Sequence, residues 1–323
     1  MNADARIAAT EVLNGQRRAV ARALARVEGR FERDELDALW QAVATRDEAA
    51  GTSIKGLTLG LTGPPGVGKS TLAGRIISAW RVRGLTVGVL CVDPSSRLSG
   101  GALLGDRVRM QLGDPDDGVF IRSLAARGRL GGLAPAIREA TLIMQAAFDR
   151  VLIETVGVGQ SETDITALAD ITAVIVQPAS GDALQFLKAG LMEVYDVVVV
   201  NKSDLGPIAE RALSDLRTAL RIQGRRDTPV LAVSAATGRG IEAFVDAAEA
   251  VAATTTTSIL ARRIHSYRAE RIRESIAWYG GKALVQRGGR QRLTTSLMAM
   301  PPHSPPSAIE DALRAWFGDV HES

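Results

Sequence analysis

The chain has almost no cysteine. Of its 323 residues only Cys91 carries a thiol, which excludes an internal disulfide framework and suits a reducing compartment. An excess of one charge is also missing. Lys and Arg total 39 against 36 Asp and Glu, a formal net charge of +3, so no polyanionic partner is implied and nucleic acid is not expected. No apolar run approaches the ~18 residues of a membrane span. The first residues place Asp4 and Glu11 where a signal peptide needs an apolar core. A cytoplasmic protein without membrane contact is the expectation. The chain also lacks an internal repeat, and its histidines, His265, His303 and His321, are scattered and late. Hydrophobic content of 46% and charged content of 23% are ordinary for a soluble globular protein of one large domain with appendages, or of two domains.

What is present is concentrated first in LTLGLTGPPGVGKST, residues 57–71. Leu57, Leu59 and Leu61 read as a buried strand. Gly63-Pro64-Pro65-Gly66-Val67-Gly68-Lys69-Ser70 then fits G-x-x-x-x-G-K-[ST] position for position, with Thr71 continuing into a helix. Glycines let the backbone curl until its N–H groups converge on phosphate oxygens. The following helix adds the positive end of its dipole to the same anion. Lys69 supplies a point charge for the β- and γ-phosphates and Ser70 a hydroxyl for Mg²⁺. Strand, loop and helix arrive in the order this chemistry requires, so a nucleoside triphosphate is the expected ligand.

Around this stretch the chain divides into three parts. Residues 1–50 are an Ala- and Arg-rich helical extension in which Val20, Leu24 and Val27 share one face and Leu36, Leu39, Trp40 and Val43 a second. Arg18, Arg22, Arg26 and Arg30 recur every four residues, either as a solvated face or as a docking surface for an acidic partner. Residues 51–253 alternate strands and helices. Apolar runs at 86–92, 151–153, 172–177, 197–200 and 229–233 are followed by helical patterns at 71–83, 133–148, 182–193, 208–222 and 241–251. That alternation predicts an α/β fold, a mostly parallel sheet covered by helices on both faces, with ligands at the carboxyl ends of the strands. Residues 254–323 form a C-terminal helical arm opening with the threonines 254–257. It continues through an amphipathic stretch with Ile259, Leu260, Ile264, Tyr267 and Ile276 and ends in a short helix with Leu313, Trp316 and Phe317.

The strand at 197–200 ends in Asn201-Lys202-Ser203-Asp204. A carboxylate at Asp204 can accept from N1–H and the 2-amino group of guanine, a donor pair that adenine does not present. Asn201 either contacts O6 or holds the loop, and the Lys202 stem covers the base face. Ser234-Ala235 fits a loop whose backbone N–H reads guanine O6. Glu154 ends the run at 151–153 with Gly157 three residues on, an arrangement that holds Mg²⁺ through water and meets the γ-phosphate. Asp93 and Asp106 stand in Gly- and Ser-rich loops where a carboxylate can orient Mg²⁺ waters or the attacking water. Gln160, Arg107, Arg109 and Arg127 are open choices for aligning water and offsetting charge. Hydrolysis by such machinery is positioning and charge neutralisation, and a missing water-orienting residue or arginine finger costs ~10³–10⁵ in rate. Slow turnover, stimulated by a partner, is therefore expected.

Taken together, GPPGVGKST, VDPSSRLSGGALLGDRVRM, RGRLGGL, ETVGVGQSE, GDALQFLKAG and NKSD resemble the methylmalonyl-CoA mutase-associated GTPases, the ArgK/MeaB group of P-loop proteins, from about residue 15 to about residue 250. The resemblance implies a Mg²⁺-dependent GTPase that gates loading of adenosylcobalamin into an acyl-CoA mutase and protects or reactivates that enzyme. The mutase acts on methylmalonyl-CoA or a relative such as isobutyryl- or 2-hydroxyisobutyryl-CoA. By resemblance, Asp93, Asp106 and Glu154 are acidic switch positions. Asp182, Gln185 and Lys188 are a further switch relaying nucleotide state to the mutase, and the C-terminal arm forms a homodimer. Two other readings use the same motifs: a nickel-delivery GTPase, which needs a Cys/His cluster, and a binding module that uses GTP as a latch without significant catalysis.

Overall fold

The computed structural model describes residues 3–29, 33–50, 55–94, 116–126, 135–155, 165–178, 195–254, 263, 267–269, 271–272, 276, 289–301 and 304–317. It resolves into two compact units, Lys55–Thr255, and Met1–Ile54 together with Thr256–Ser323. The first and last of the three expected segments thus belong to one unit.

In the Lys55–Thr255 unit the described residues form one seven-stranded sheet. Its strands are β1 (Leu57–Thr62), β2 (Val87–Pro94), β3 (Val119–Ala126), β4 (Arg150–Thr155), β5 (Ile171–Val176), β6 (Val197–Val200) and β7 (Val230–Ala232), in the order β3-β2-β4-β1-β5-β6-β7. Every pairing is parallel. β1, β5 and β6 are buried along their whole length, which is why β5 and β6 read as nearly unbroken apolar runs. β3 was not expected. Arg122 and Ser123 interrupt its pattern, and it pairs only with β2 at the sheet's edge, where Phe120 to Ser123 are half-buried.

Helices cover both faces. α4 (Lys69–Val82) and α7 (Ile241–Thr254) lie on one; α5 (Pro135–Ala147) and α6 (Pro207–Ile222) lie on the other. On the α5 face Gly88 has no room for a side chain, because a Cβ would meet Phe148 Cδ2 at 2.6 Å and Met144 Sδ at 3.0 Å. Beside it Leu216 and Leu220 of α6 join Val174, Val176, Tyr195, Val198 and Val200 in one buried cluster. The expected helix at 182–193 lies outside the described residues.

A repeated device pins the amino ends of the strands. Asp149, Asp170 and Asp196 each immediately precede a strand. Each accepts from a backbone N–H at the start of a neighbouring one: Thr86 N–H to Asp149 Oδ2 at 2.9 Å, Thr58 N–H to Asp170 Oδ2 at 2.8 Å, and Thr172 N–H to Asp196 Oδ2 at 2.8 Å. These donors have no partner further down the ladder, and a charged acceptor satisfies them at the edge.

The other unit contains α1 (Ala3–Leu13), α2 (Arg17–Gly29), α3 (Arg33–Ala50), α8 (Gly289–Met298) and α9 (Pro306–Phe317). Val20, Leu24 and Val27 of α2 and Leu39, Trp40 and Val43 of α3 are buried, as their spacing predicts. Two arginines of the basic stripe are engaged inside the unit, Arg22 with Glu11 at 2.9 Å and Arg26 with Glu35. α3 meets the C-terminal region through Trp40 against Tyr267, ring centroids 5.2 Å apart, and through Asp37, which accepts from Ser307 N–H at 3.1 Å. Buried Arg268 donates to the carbonyls of Met298, the last residue of α8, and of Met300 and Pro301 just beyond it. No helix among the described residues is long and apolar enough to cross a membrane.

Candidate nucleotide-binding site

The site lies where β1, at the centre of the sheet, passes into α4. Gly63 and Gly68 adopt φ of 140° and 92°, values that side chains disfavour. Space forbids them as well: a Cβ on Gly63 would stand 2.2 Å from Ile175 O, and one on Gly68 2.7 Å from Asn201 Nδ2. The loop therefore presses against its neighbours through bare backbone. Lys69, 8% exposed, turns back across the loop and donates from Nζ to Gly63 O at 2.5 Å and Pro64 O at 2.9 Å.

Ser70, in the first turn of α4, donates from Oγ to Glu154 Oε1 at 2.6 Å. Glu154 is fully buried near the end of β4, in register with Leu61 of β1 and Cys91 of β2. Two hard oxygen donors, one from the first turn of α4 and one from near the end of β4, thus converge, and this is a donor set that suits Mg²⁺. Asp93 is the penultimate residue of β2, in register with Ala125 of β3; its side chain, like Asp106 and Gly157, lies outside the described residues, as do Arg107, Arg109, Arg127 and Gln160. Asp182, Gln185 and Lys188 also lie outside them. Among the described residues no group of three or more His, Cys, Asp or Glu is placed to hold a metal ion by itself. Cys91 is fully buried in β2.

The segment after β6 reaches back to the phosphate loop. Buried Asn201 donates from Nδ2 to Val67 O at 2.8 Å and accepts at Oδ1 from Ala235 N–H at 3.0 Å. Of the two tasks open to Asn201 in the sequence, this is the holding one. Lys202 has φ 59°, a left-handed conformation unusual outside glycine. Its stem then spans the gap so that Nζ donates to Gly66 O at 3.1 Å and Gln177 Oε1 at 2.5 Å. Four loop carbonyls, at Gly63, Pro64, Gly66 and Val67, are thereby taken by side-chain donors.

Asp204 is exposed, and its Oδ1 accepts from Ser234 Oγ at 2.6 Å. That hydroxyl, with the aspartate's own amide and nearby Lys202, holds the carboxyl below its ordinary range against a small effect of burial. A residue that periodicity alone did not single out joins here: Arg75 of α4 donates from Nε to Ala235 O and from Nη2 to Ala236 O, each at 2.9 Å. In the sequence it is one more arginine on a helix, and only the fold brings it to this loop.

Comparison with known proteins agrees with this geometry. A protein of Pyrococcus horikoshii named as a GTPase is 46% identical over 191 residues, 57% of this chain and 60% of that one. The mouse protein named methylmalonic aciduria type A homolog, mitochondrial, is 38% identical over 250 residues, 73% of this chain and 60% of its own length. The matched stretch therefore spans about three fifths of both relatives. A solved structure titled LAO/AO transport system kinase superposes with a TM-score of 0.61 at 28% identity, covering 98% of each chain. The fold is that of the α/β P-loop NTPases. Residues 20–279 match the family described as methylmalonyl Co-A mutase-associated GTPase MeaB, and the chain belongs to that family.

Proposed function

We propose that the protein binds GTP with Mg²⁺, hydrolyses it slowly to GDP and phosphate, and uses this cycle to gate adenosylcobalamin loading into an acyl-CoA mutase that stimulates turnover. One observation carries the nucleotide part. Asn201 bonds Val67 and Ala235 at once, so the segment expected to hold phosphates and the segment expected to read the base are one rigid constellation.

The residues divide the work as follows. With its carbonyls held outward, the loop 63–68 offers its amides to phosphate oxygens. The Lys69 ammonium already lies across the loop and exchanges a carbonyl for a phosphate oxygen with little reorganisation. Ser70 points its hydroxyl hydrogen at Glu154 in a hydrogen bond, which leaves hydroxyl lone pairs for a cation. Mg²⁺, when bound there, neutralises charge on the β- and γ-phosphate oxygens. Asp93 and Asp106 orient water around that centre, and Gly157 meets the γ-phosphate. Asp204 accepts from guanine N1–H and the 2-amino group while the Lys202 stem covers the ring.

The mutase half of the proposal is supported by the family's description and by likeness to the methylmalonic aciduria type A homolog. Asp182, Gln185 and Lys188 are the proposed relay, and residues 254–323 the proposed homodimer arm. Titration with labelled GTP and ATP in Mg²⁺ tests the first half: marked preference for GTP is expected, and equal affinity overturns it. Co-purification with a cobalamin mutase in the presence of a non-hydrolysable GTP analogue tests the second. Retention in no nucleotide state overturns the chaperone role while leaving the GTPase intact.

A further inference from the structure

The guanidinium of Arg75 touches no carboxylate among the described residues and is spent entirely on two consecutive carbonyls of the loop after β7. Ala235 is buried and its carbonyl needs a partner, whereas Ala236 is exposed and water would serve its carbonyl equally well. What the two bonds accomplish is directional. Ala235 to Thr237 form a turn, and one guanidinium reaching both carbonyls holds both peptides with their N–H groups facing the other way.

Each of those peptides leads to the base-reading side. The carbonyl of Ala235 shares its peptide with Ala236 N–H, which has no partner among the described residues. Both backbone donors of Ser234-Ala235, the pair expected to read guanine O6, are engaged, Ser234 N–H by Arg239 O and Ala235 N–H by Asn201 Oδ1. The carbonyl of Ala236 shares its peptide with Thr237 N–H, which donates to Ser234 Oγ at 3.2 Å; Ser234 Oγ in turn donates to Asp204 Oδ1 at 2.6 Å. A run of like-directed hydrogen bonds therefore leads from a cation on α4 to the carboxylate that faces the base. Bonds aligned in this way polarise one another, strengthening each by roughly 10–30%.

Resting on the GTP-binding reading, we propose that Arg75 is a positioning residue. It aims Ala236 N–H at guanine O6 and orients Asp204 through Thr237 and Ser234, setting base selectivity and the rate of GDP release. Because Arg75 projects from the helix that follows the phosphate loop, base and phosphate grips share one element.

The test uses the full chain with Arg75→Ala and Arg75→Lys, fluorescent GDP release, GTP-over-ATP preference, and affinity for inorganic triphosphate. Arg75→Ala should release GDP about tenfold faster and lose about tenfold in GTP-over-ATP preference, the effect of about one charge-assisted hydrogen bond. Affinity for inorganic triphosphate should stay at the wild-type value, and Arg75→Lys, with one bond restored, should fall between. Wild-type release and preference in Arg75→Ala overturn the proposal; so does a parallel loss of triphosphate affinity, which marks a general disturbance of α4. Absence of GTP preference in the wild-type protein is a separate result and overturns the underlying reading instead.

Discussion

Two carboxylates, both near strand ends, behave differently because of what they touch. Asp204 is exposed and bonded to a hydroxyl, so it stays ionised at any ordinary pH and suits a donor-rich base. Replacing it by Asn presents an amide donor at the 2-position, where guanine also donates. Asp204→Asn should lose GTP affinity by about a hundredfold, two charge-assisted bonds' worth, while gaining xanthosine triphosphate; competition binding with the two nucleotides reads both changes. Glu154 is fully buried against Ser70. Glu154→Gln keeps the shape but removes charge from the proposed Mg²⁺ position. The Mg²⁺ concentration for half-maximal GTP hydrolysis should rise about tenfold or more, as follows from losing one charged contact. An unchanged Mg²⁺ dependence would show that Glu154 does not serve the metal.

At the scale of the strand, the edge aspartates are the feature with measurable consequences. Asp170 is buried and accepts from Thr58 N–H, so Asp170→Ala strands a donor at the start of the central strand and should cost about 2 kcal/mol by urea unfolding. Asp149 gives a pH signature. Burial works to raise its pKa, but the hydroxyl and amide of Thr86 outweigh this, with Lys55 and Arg150 adding, and the carboxyl lies below its ordinary 3.8. The unfolded chain therefore takes up the proton first. The Asp149 contribution is complete above about 3.8 and lost as pH falls through the lower, folded value. The gap in unfolding midpoint between wild type and Asp149→Asn should hold from neutral pH to about 4.5 and close below that range. A gap that persists at pH 2 would separate the stabilisation from this charge. These aspartates stand in plain view before three apolar runs, in FDRVLIE, ADITAVIV and YDVVVV. Their task was not legible because the donor each one meets belongs to another strand, 24 to 112 residues away.

For the whole molecule, chain order and spatial organisation part company. The N-terminal helices and the C-terminal region join in one unit, with Asp37 bonded to Ser307 and Trp40 packed on Tyr267. A protein lacking residues 1–50 should retain nucleotide binding, because the sheet and its loops lie within Lys55–Thr255. Its C-terminal region should become sensitive to trypsin at Arg292 and Arg314. Limited proteolysis followed by mass spectrometry checks this, and a region that stays resistant would mean the two segments hold their folds separately.

Residue pattern alone determined the glycine-rich loop after β1, the Asn201–Asp204 tetrapeptide after β6, the buried strands of the sheet and the family resemblance. Each depends on neighbours in sequence: glycines that let a loop curl, a charge at fixed spacing, apolar side chains enclosed on both faces of a sheet. Only the tertiary structure decided that Asn201 braces the loop, that Arg75 reaches the loop after β7, that β3 exists and that the two ends of the chain share a core. Those outcomes depend on which surfaces approach when the sheet is assembled, and a hydrogen bond formed between α4 and a loop 160 residues later leaves no periodicity along the chain.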